Sequence, residues 1–121
     1  MEEISNLEKL ECIRSFQSTI SKLENALSQM TNSGANTTLI KKRLNSVRIG
    51  LATLEHVWNQ SPLNYTQEEL VEARNVIAGL FRSIENSYAK SKTGSPQRTL
   101  LERRIKALQQ SSQAIHEILT K

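Results

Sequence analysis

Residues 38–59 have the sequence TLIKKRLNSVRIGLATLEHVWN, and this stretch decides the fold class. Its large apolar side chains recur at alternating steps of four and three residues: Ile40, Leu44, Val47, Leu51, Leu54 and Trp58. This spacing is the heptad pattern of an amphipathic helix, in which one side is apolar and packs against other helices. The stretch therefore predicts a helix that contributes its apolar side to a helical core.

Three further segments carry apolar stripes at helical spacing. The first stripe comprises Ile4, Leu7, Leu10, Ile13, Phe16, Ile20, Leu23, Leu27 and Met30. The third comprises Leu70, Ala73, Ile77, Leu80, Ile84 and Tyr88, and the last comprises Leu101, Ile105, Leu108, Ser112, Ile115 and Leu119. We expect all nine residues of the first stripe to lie on one side of a helix. Ser112 is the one polar member of the last stripe and indicates a looser core layer there.

Local signals mark where these helices begin and end. Thr66 and Glu69 have the spacing of a capping box, and Ser95 followed by Pro96 has the pattern of an N-cap and first helical residue. Turn-forming residues separate the stripes at 31–36, 60–64 and 90–94. The chain has 121 residues, few glycines and prolines, and no aspartate, which suits one helical domain and is too short for two substantial cores.

Together these patterns predict an all-α protein, an antiparallel up-down-up-down four-helix bundle in one domain spanning residues 1–121. The predicted helices cover residues of about 3–31, 38–59, 66–90 and 96–120. Gly50 and Gly79 lie inside the second and third helices, where a glycine costs about 1 kcal/mol relative to alanine. We interpret both as sites of close helix packing, with a hinge as the alternative.

Charge alternates in sign from one predicted helix to the next. Residues 1–31 and 66–88 each carry a net charge of −2, whereas residues 41–60 carry +3 and residues 90–106 carry +5. Neighbouring helices of a bundle would then oppose acidic and basic surfaces, which biases their pairing more than it stabilises them.

The basic residues form two groups that are the candidate partner-binding site. They are Lys41, Lys42 and Arg43, with Arg48 nearby, and Lys90, Lys92, Arg98, Arg103, Arg104 and Lys106. In an up-and-down bundle the second and fourth helices start at the same end, so we expect both groups at one basic pole. Such a pole could bind an acidic protein, a phosphate backbone or another anion, and the alternative is an ordinary solvated face.

Several other functions are not indicated by the sequence. His56 and His116 have no metal-ligand partner at helical spacing, and neither a phosphate-binding loop nor a nucleophile elbow is present, so we predict no enzyme, metal or cofactor. The single cysteine, Cys12, lies in an apolar helix and is expected to be buried and inert. No signal peptide or membrane span is recognisable, which favours a cytoplasmic protein.

Parts of the chain resemble known families. Residues 94–101, continuing through Arg104-Ile105-Lys106-Ala107-Leu108, resemble the end of small uncharacterised helical proteins from bacteria. Residues 39–80, with Tyr65-Thr66-Gln67-Glu68-Glu69-Leu70 between two amphipathic helices, are similar to the middle of bacteriocin immunity proteins. The second resemblance implies a cytosolic four-helix bundle that protects a producer cell from its own pore-forming peptide. The three-helix domains at the N-terminus of syntaxin-type SNAREs show a similar spacing of apolar residues.

The function predicted from these observations is macromolecular interaction without catalysis. A protein partner is the first hypothesis, with bacteriocin immunity as its specific form. Nucleic-acid binding or a regulatory role through the basic pole is the alternative, and self-association of two helical hairpins also stays open. Aromatic residues that could stack on single-stranded bases are missing from the basic groups.

Overall fold

The computed structural model describes residues 4–121. They form four helices: α1 (Asn6–Ser33), α2 (Thr38–Asn59), α3 (Gln67–Lys90) and α4 (Pro96–Leu119). No strand occurs among these residues. The predicted all-α four-helix bundle is thus confirmed.

Capping interactions explain where the helices begin. The Glu8 N–H donates to Ser5 Oγ (3.1 Å), which caps α1 at its first residue, Asn6. The predicted start near residue 3 lies outside the described residues. At α3 the predicted capping box is present: the Glu69 N–H donates to Thr66 Oγ1 (3.1 Å), and the Thr66 N–H donates to Glu69 Oε1 (3.0 Å). These bonds satisfy backbone donors that the first turn of a helix leaves without partners. The other boundaries fall within two residues of the predicted ones.

The core is built from one side of each helix and is mostly aliphatic. Its most deeply buried members, each less than 3% exposed, are Cys12, Phe16, Val47, Ile49, Leu54, Ala73, Ile77, Ala107, Ala114 and Ile115. Ser111, and not the predicted Ser112, is the fully buried polar residue of α4, and its hydroxyl donates to the Leu108 carbonyl (2.9 Å). Cys12 is buried, as predicted, although it lies outside the stripe expected to form the core.

The helices are arranged as two antiparallel hairpins. In the α1–α2 hairpin, Arg48 donates to Glu24 (2.6 Å), and in the α3–α4 hairpin, the Tyr88 hydroxyl donates to Glu102 (2.9 Å). Glu24 and Arg48 are nearly equidistant along the chain from the α1–α2 turn, and Tyr88 and Glu102 both lie within about two helical turns of the α3–α4 turn, as helices folded back on each other require. The up-and-down order therefore holds within each hairpin.

Between the hairpins, α3 does not fold back along α2. Lys42 Nζ, near the start of α2, lies 3.7 Å from Glu72 Oε1, near the start of α3. Further along both helices, the space beside Gly50 is filled by Ile77. In a strictly antiparallel pair the two helix starts would lie at opposite ends, so these two contacts show that α3 crosses α2 and is not aligned antiparallel to it.

The connection between α2 and α3 explains this geometry. Residues 60–66 form no helix, so the eight peptide steps from Asn59 to Gln67 can span at most about 29 Å. The 22-residue α2 is about 33 Å long. The connection is therefore too short to return the chain to the start of α2 and set α3 parallel to it, but it is long enough for a steep crossing. The α1–α2 hairpin consequently lies across the α3–α4 hairpin.

The two interior glycines differ. A Cβ atom on Gly50 would lie 3.0 Å from Ile77 Cδ1 and 3.1 Å from a ring carbon of Phe16, so the predicted close packing is confirmed there. At Gly79 a Cβ atom would meet nothing within 4 Å, so the prediction of close packing is wrong at that position. The reason is that Gly79 lies on the exposed side of α3, away from the crossing.

The first apolar stripe also departs from expectation. Leu7 is 64% exposed and Leu10 is 43% exposed, whereas Phe16 is buried. Successive steps of three residues turn about 60° around a helix with 3.6 residues per turn. The run from Leu7 through Leu10 and Ile13 to Phe16 therefore winds halfway around α1, and its first residues leave the core side.

We predict opposite effects of the same substitution at the two glycines. Gly50→Ala should lower the free energy of unfolding by about 1–3 kcal/mol, because Phe16 and Ile77 are both buried and must shift. Gly79→Ala should raise it by about 0.5–1 kcal/mol, because alanine fits the open space and favours helix. Urea unfolding followed by circular dichroism measures both. A loss of stability in Gly79→Ala equal to that in Gly50→Ala would contradict the packing described.

Candidate interaction surface

The two predicted basic groups do not lie at one pole. Lys42 of α2 contacts Glu72 and lines a groove together with Gln67 and Asn75. These three partners of Lys42 all lie in the first half of α3. Lys90 is the last residue of α3, which places it 18 residues and about 27 Å along the helix from Glu72. The expectation of a single basic pole is therefore wrong, because α3 crosses α2 and carries the second group away from the first.

At the start of α2, the basic side chains have different environments. Lys42 is paired with Glu72, Lys41 is exposed and Arg43 is half-buried. Together with Arg48–Glu24 and Lys106–Glu8, the Lys42 pair joins an acidic odd-numbered helix to a basic even-numbered one, as the charge pattern predicts. The side chains of these pairs are partly exposed. Lys42 and Lys106, two of the predicted binding residues, therefore form ion pairs between helices of the protein itself.

Arg98 is also used within the fold. Its guanidinium lies 4.1 Å from the centre of the Tyr88 ring, and its Nη1 donates to the Ser91 carbonyl (3.1 Å). Both contacts bridge the turn between α3 and α4, and a cation over an aromatic ring is an attractive arrangement. Arg98 therefore holds the turn on which Lys92 is exposed, with Lys90 exposed at the preceding helix end.

Lys106 and Glu8 join the middle of α4 to the first turns of α1. The hydrogen bond that Lys106 donates lowers the pKa of Glu8 below its ordinary value of 4.5. A hydrogen bond that the Glu8 carboxylate accepts from the backbone of Ser5, the N-cap residue, also lowers this pKa. The same bond raises the pKa of Lys106 above its ordinary value of 10.5. The pair is charged throughout the neutral range.

Arg104 lies against the core. Its Nε atom is buried and has no hydrogen-bond partner among the described residues, and the same is true of Ser15 Oγ. Both residues line a small, mainly apolar cavity of about 50 Å³ between α1, α3 and α4, together with Phe16, Leu23 and Ile84. This cavity is large enough to hold ordered water beside the two polar atoms.

Arg103 has a different setting, in an open groove of about 230 Å³ between α1 and α4. Leu7 and Arg14 line the α1 side, and Leu100 lines the α4 side next to Arg103. Leu7 is 64% exposed and Leu100 is 40% exposed, and exposed large apolar residues that adjoin one another are typical of interaction sites. We call this site, which Glu11, Ser15 and Ser18 also line, the α1–α4 groove.

Sequence reasoning found only Arg103 of this groove. Leu7 belongs to the first apolar stripe and is therefore expected in the core, whereas neither Leu100 nor Arg14 is a candidate site residue in the sequence. The steps of three residues in the first stripe are the signal that could have identified Leu7, since they place it on the side of α1 opposite Phe16.

Histidine, cysteine and acidic side chains are the residues of this chain that could ligate a metal ion or act as a nucleophile. Residues 4–121 contain no group of three or more histidine, cysteine or acidic side chains that could hold a metal ion. Burial raises the pKa of the Cys12 thiol, so the thiolate that would act as nucleophile is disfavoured. His56 Nδ1 lies 2.8 Å from the Ser61 carbonyl, just beyond the end of α2. None of the helices described is long and apolar enough to cross a membrane.

The Lys106–Glu8 pair predicts a specific pH dependence. Because the pKa of Glu8 is lowered on folding, its contribution to stability is present above about pH 4.5 and is lost as the pH falls through its folded-state pKa. In Lys106→Met, the pKa of Glu8 measured by NMR should return toward 4.5, since its largest perturbing contact is gone. Lys41→Met removes a charge elsewhere and should leave that pKa unchanged. An unaltered Glu8 pKa in Lys106→Met would contradict the pairing.

Comparison of the chain with protein-family models, with curated proteins and with solved structures found no match.

Proposed function

We propose that this protein acts without catalysis, by binding a protein partner through the α1–α4 groove. The observation that carries the proposal is the exposure of Leu7 and Leu100 next to two arginines. Apolar side chains flanked by arginine are the composition of protein interfaces, where arginine is enriched and water is excluded from apolar contacts.

A protein partner accounts for the groove better than a nucleic acid does. Leucine side chains make no hydrogen bonds to phosphate, and no aromatic residue lines the groove to stack on a base. The two predicted basic groups lie apart, one at the start of α2 and the other around the α3–α4 turn and along α4. Within them, Lys42 and Lys106 already pair with carboxylates. A continuous basic track for a phosphate backbone is therefore not formed by the two groups together.

Bacteriocin immunity is the more specific form of the proposal. Its support is the four-helix bundle together with the Thr66–Glu69 capping box, which lies in the stretch that resembles immunity proteins. Production of the protein in a bacteriocin-sensitive strain should then increase survival, and the double variant Leu100→Ser with Arg103→Glu should lose that protection. Equal killing with and without the protein, across a panel of bacteriocins, would contradict this form of the proposal.

Photo-crosslinking tests the general proposal. A photoreactive amino acid at position 100 should capture a protein in the native host, whereas the same group at exposed Ala78 on α3 should not capture it. The captured partner, once purified, should bind the unmodified protein in calorimetry and lose at least roughly ten-fold in affinity with Leu100→Ser and Arg103→Glu.

Two controls make this result decisive. Arg82→Glu makes the same charge change on α3, outside the α1–α4 groove, and should leave the affinity unchanged. Duplex DNA provides the competing hypothesis: tight binding that falls steeply with salt and is lost in Arg103→Glu would favour the nucleic-acid alternative. A purified partner that binds both variants equally would overturn the assignment of the groove.

A further inference from the structure

We infer that the α1–α4 groove receives an acidic amphipathic helix of its partner. This inference rests on the proposed function and adds the chemistry and shape of the occupant. Its leucine-type side chains would enter the groove, and its glutamates would face the arginines. Three features of the groove support this occupant: its size, its position between two helices, and the sign of the charge around it.

The size of the groove fits side chains of an occupant and not its backbone. Its volume is about 230 Å³, and it is open to solvent along the line where α1 and α4 meet. Ser15 and Ser18 also line it, and their small side chains leave room between the exposed leucines. An amphipathic helix fits such a site because its residues at positions i, i+3, i+4 and i+7 project together into one groove.

The position of the groove gives the occupant a helical neighbour on each side. α1 lines the groove with Leu7 and Arg14, and Leu7 is 64% exposed. α4 carries Leu100 and Arg103 one turn apart on the other side. A third helix laid between them would cover these leucines by the same side-chain packing that joins helices within the bundle.

The charge around the groove favours an acidic occupant. Arg103 lines the groove on the α4 side and is exposed. Arg14 adds a further positive charge across the groove, and Glu11 is the one acidic residue that lines it. The arginines are therefore in excess at the groove, and a basic helix would meet repulsion there.

Designed peptides test the inference directly. The probe is a helix of about 18 residues, roughly 27 Å long, with leucine on one side and glutamate on the other. A second peptide has the same composition in scrambled order, and a third has lysine in place of glutamate. Fluorescence anisotropy with the full-length protein should give a micromolar Kd for the first peptide and at least roughly ten-fold weaker binding for the other two.

Variants of the protein locate the binding. Leu7→Ser with Leu100→Ser, and separately Arg14→Glu with Arg103→Glu, should each weaken the acidic helix at least roughly ten-fold. All four residues lie at the surface or on the groove, so circular dichroism should show unchanged folding. Arg82→Glu makes the charge change of one of these arginine substitutions on α3, outside the groove, and should bind the peptide as the unmodified protein does.

Three results would overturn the inference: no binding of the acidic helix, equal binding of the scrambled peptide, or equal weakening by Arg82→Glu. Binding of anionic vesicles or duplex DNA that displaces the peptide at lower concentration would also overturn it, in favour of those ligands. The proposed function fails separately. If the peptides do not bind while a crosslinked partner still requires Leu100 and Arg103, the groove is an interface with an occupant of another kind.

Discussion

The packing of Phe16 and Ile77 against Gly50 is the constraint on which the rest of the structure depends. Because glycine has no side chain, residues from α1 and α3 reach the surface of α2 at the same point, and both are almost completely buried. The contact joins one hairpin to the other near the centre of the core. It also sets the direction of α3, since the Lys42–Glu72 contact then requires α3 to cross α2.

The surface follows from this crossing. Because one hairpin lies across the other, the α1–α2 turn and the α3–α4 turn are not brought to one end of the bundle, so the basic start of α2 and the basic α3–α4 turn are separated. Between α1 and α4 the crossing leaves a groove whose leucines are not covered, and the most basic segment of the chain forms one of its walls. The proposed binding of an acidic helix thus depends on the same geometry as the core.

Local features of the fold could be predicted from the sequence, and long-range ones could not. The limits of α2 and the capping of α3 at Thr66 follow from side chains a few residues apart, so the pattern was sufficient. The crossing depends on which residues meet across the core, and regular stripes are compatible with either arrangement. The groove is also a long-range feature, because it exists only where α1 and α4 lie side by side. The sequence therefore identifies Arg103 through its basic neighbours along the chain, but it does not identify Leu7 and Arg14, which lie across the groove on α1.

The distance between Lys41 and Lys90 tests the crossing most directly. Spin labels at these two exposed positions, in a protein with Cys12 replaced by alanine, allow the separation to be measured by double electron–electron resonance. The crossed hairpins predict a separation above about 20 Å, because α3 alone extends roughly 27 Å from Glu72 to Lys90. A backbone separation of about 10 Å, the spacing of neighbouring antiparallel helices, would contradict the crossing and restore a single basic pole.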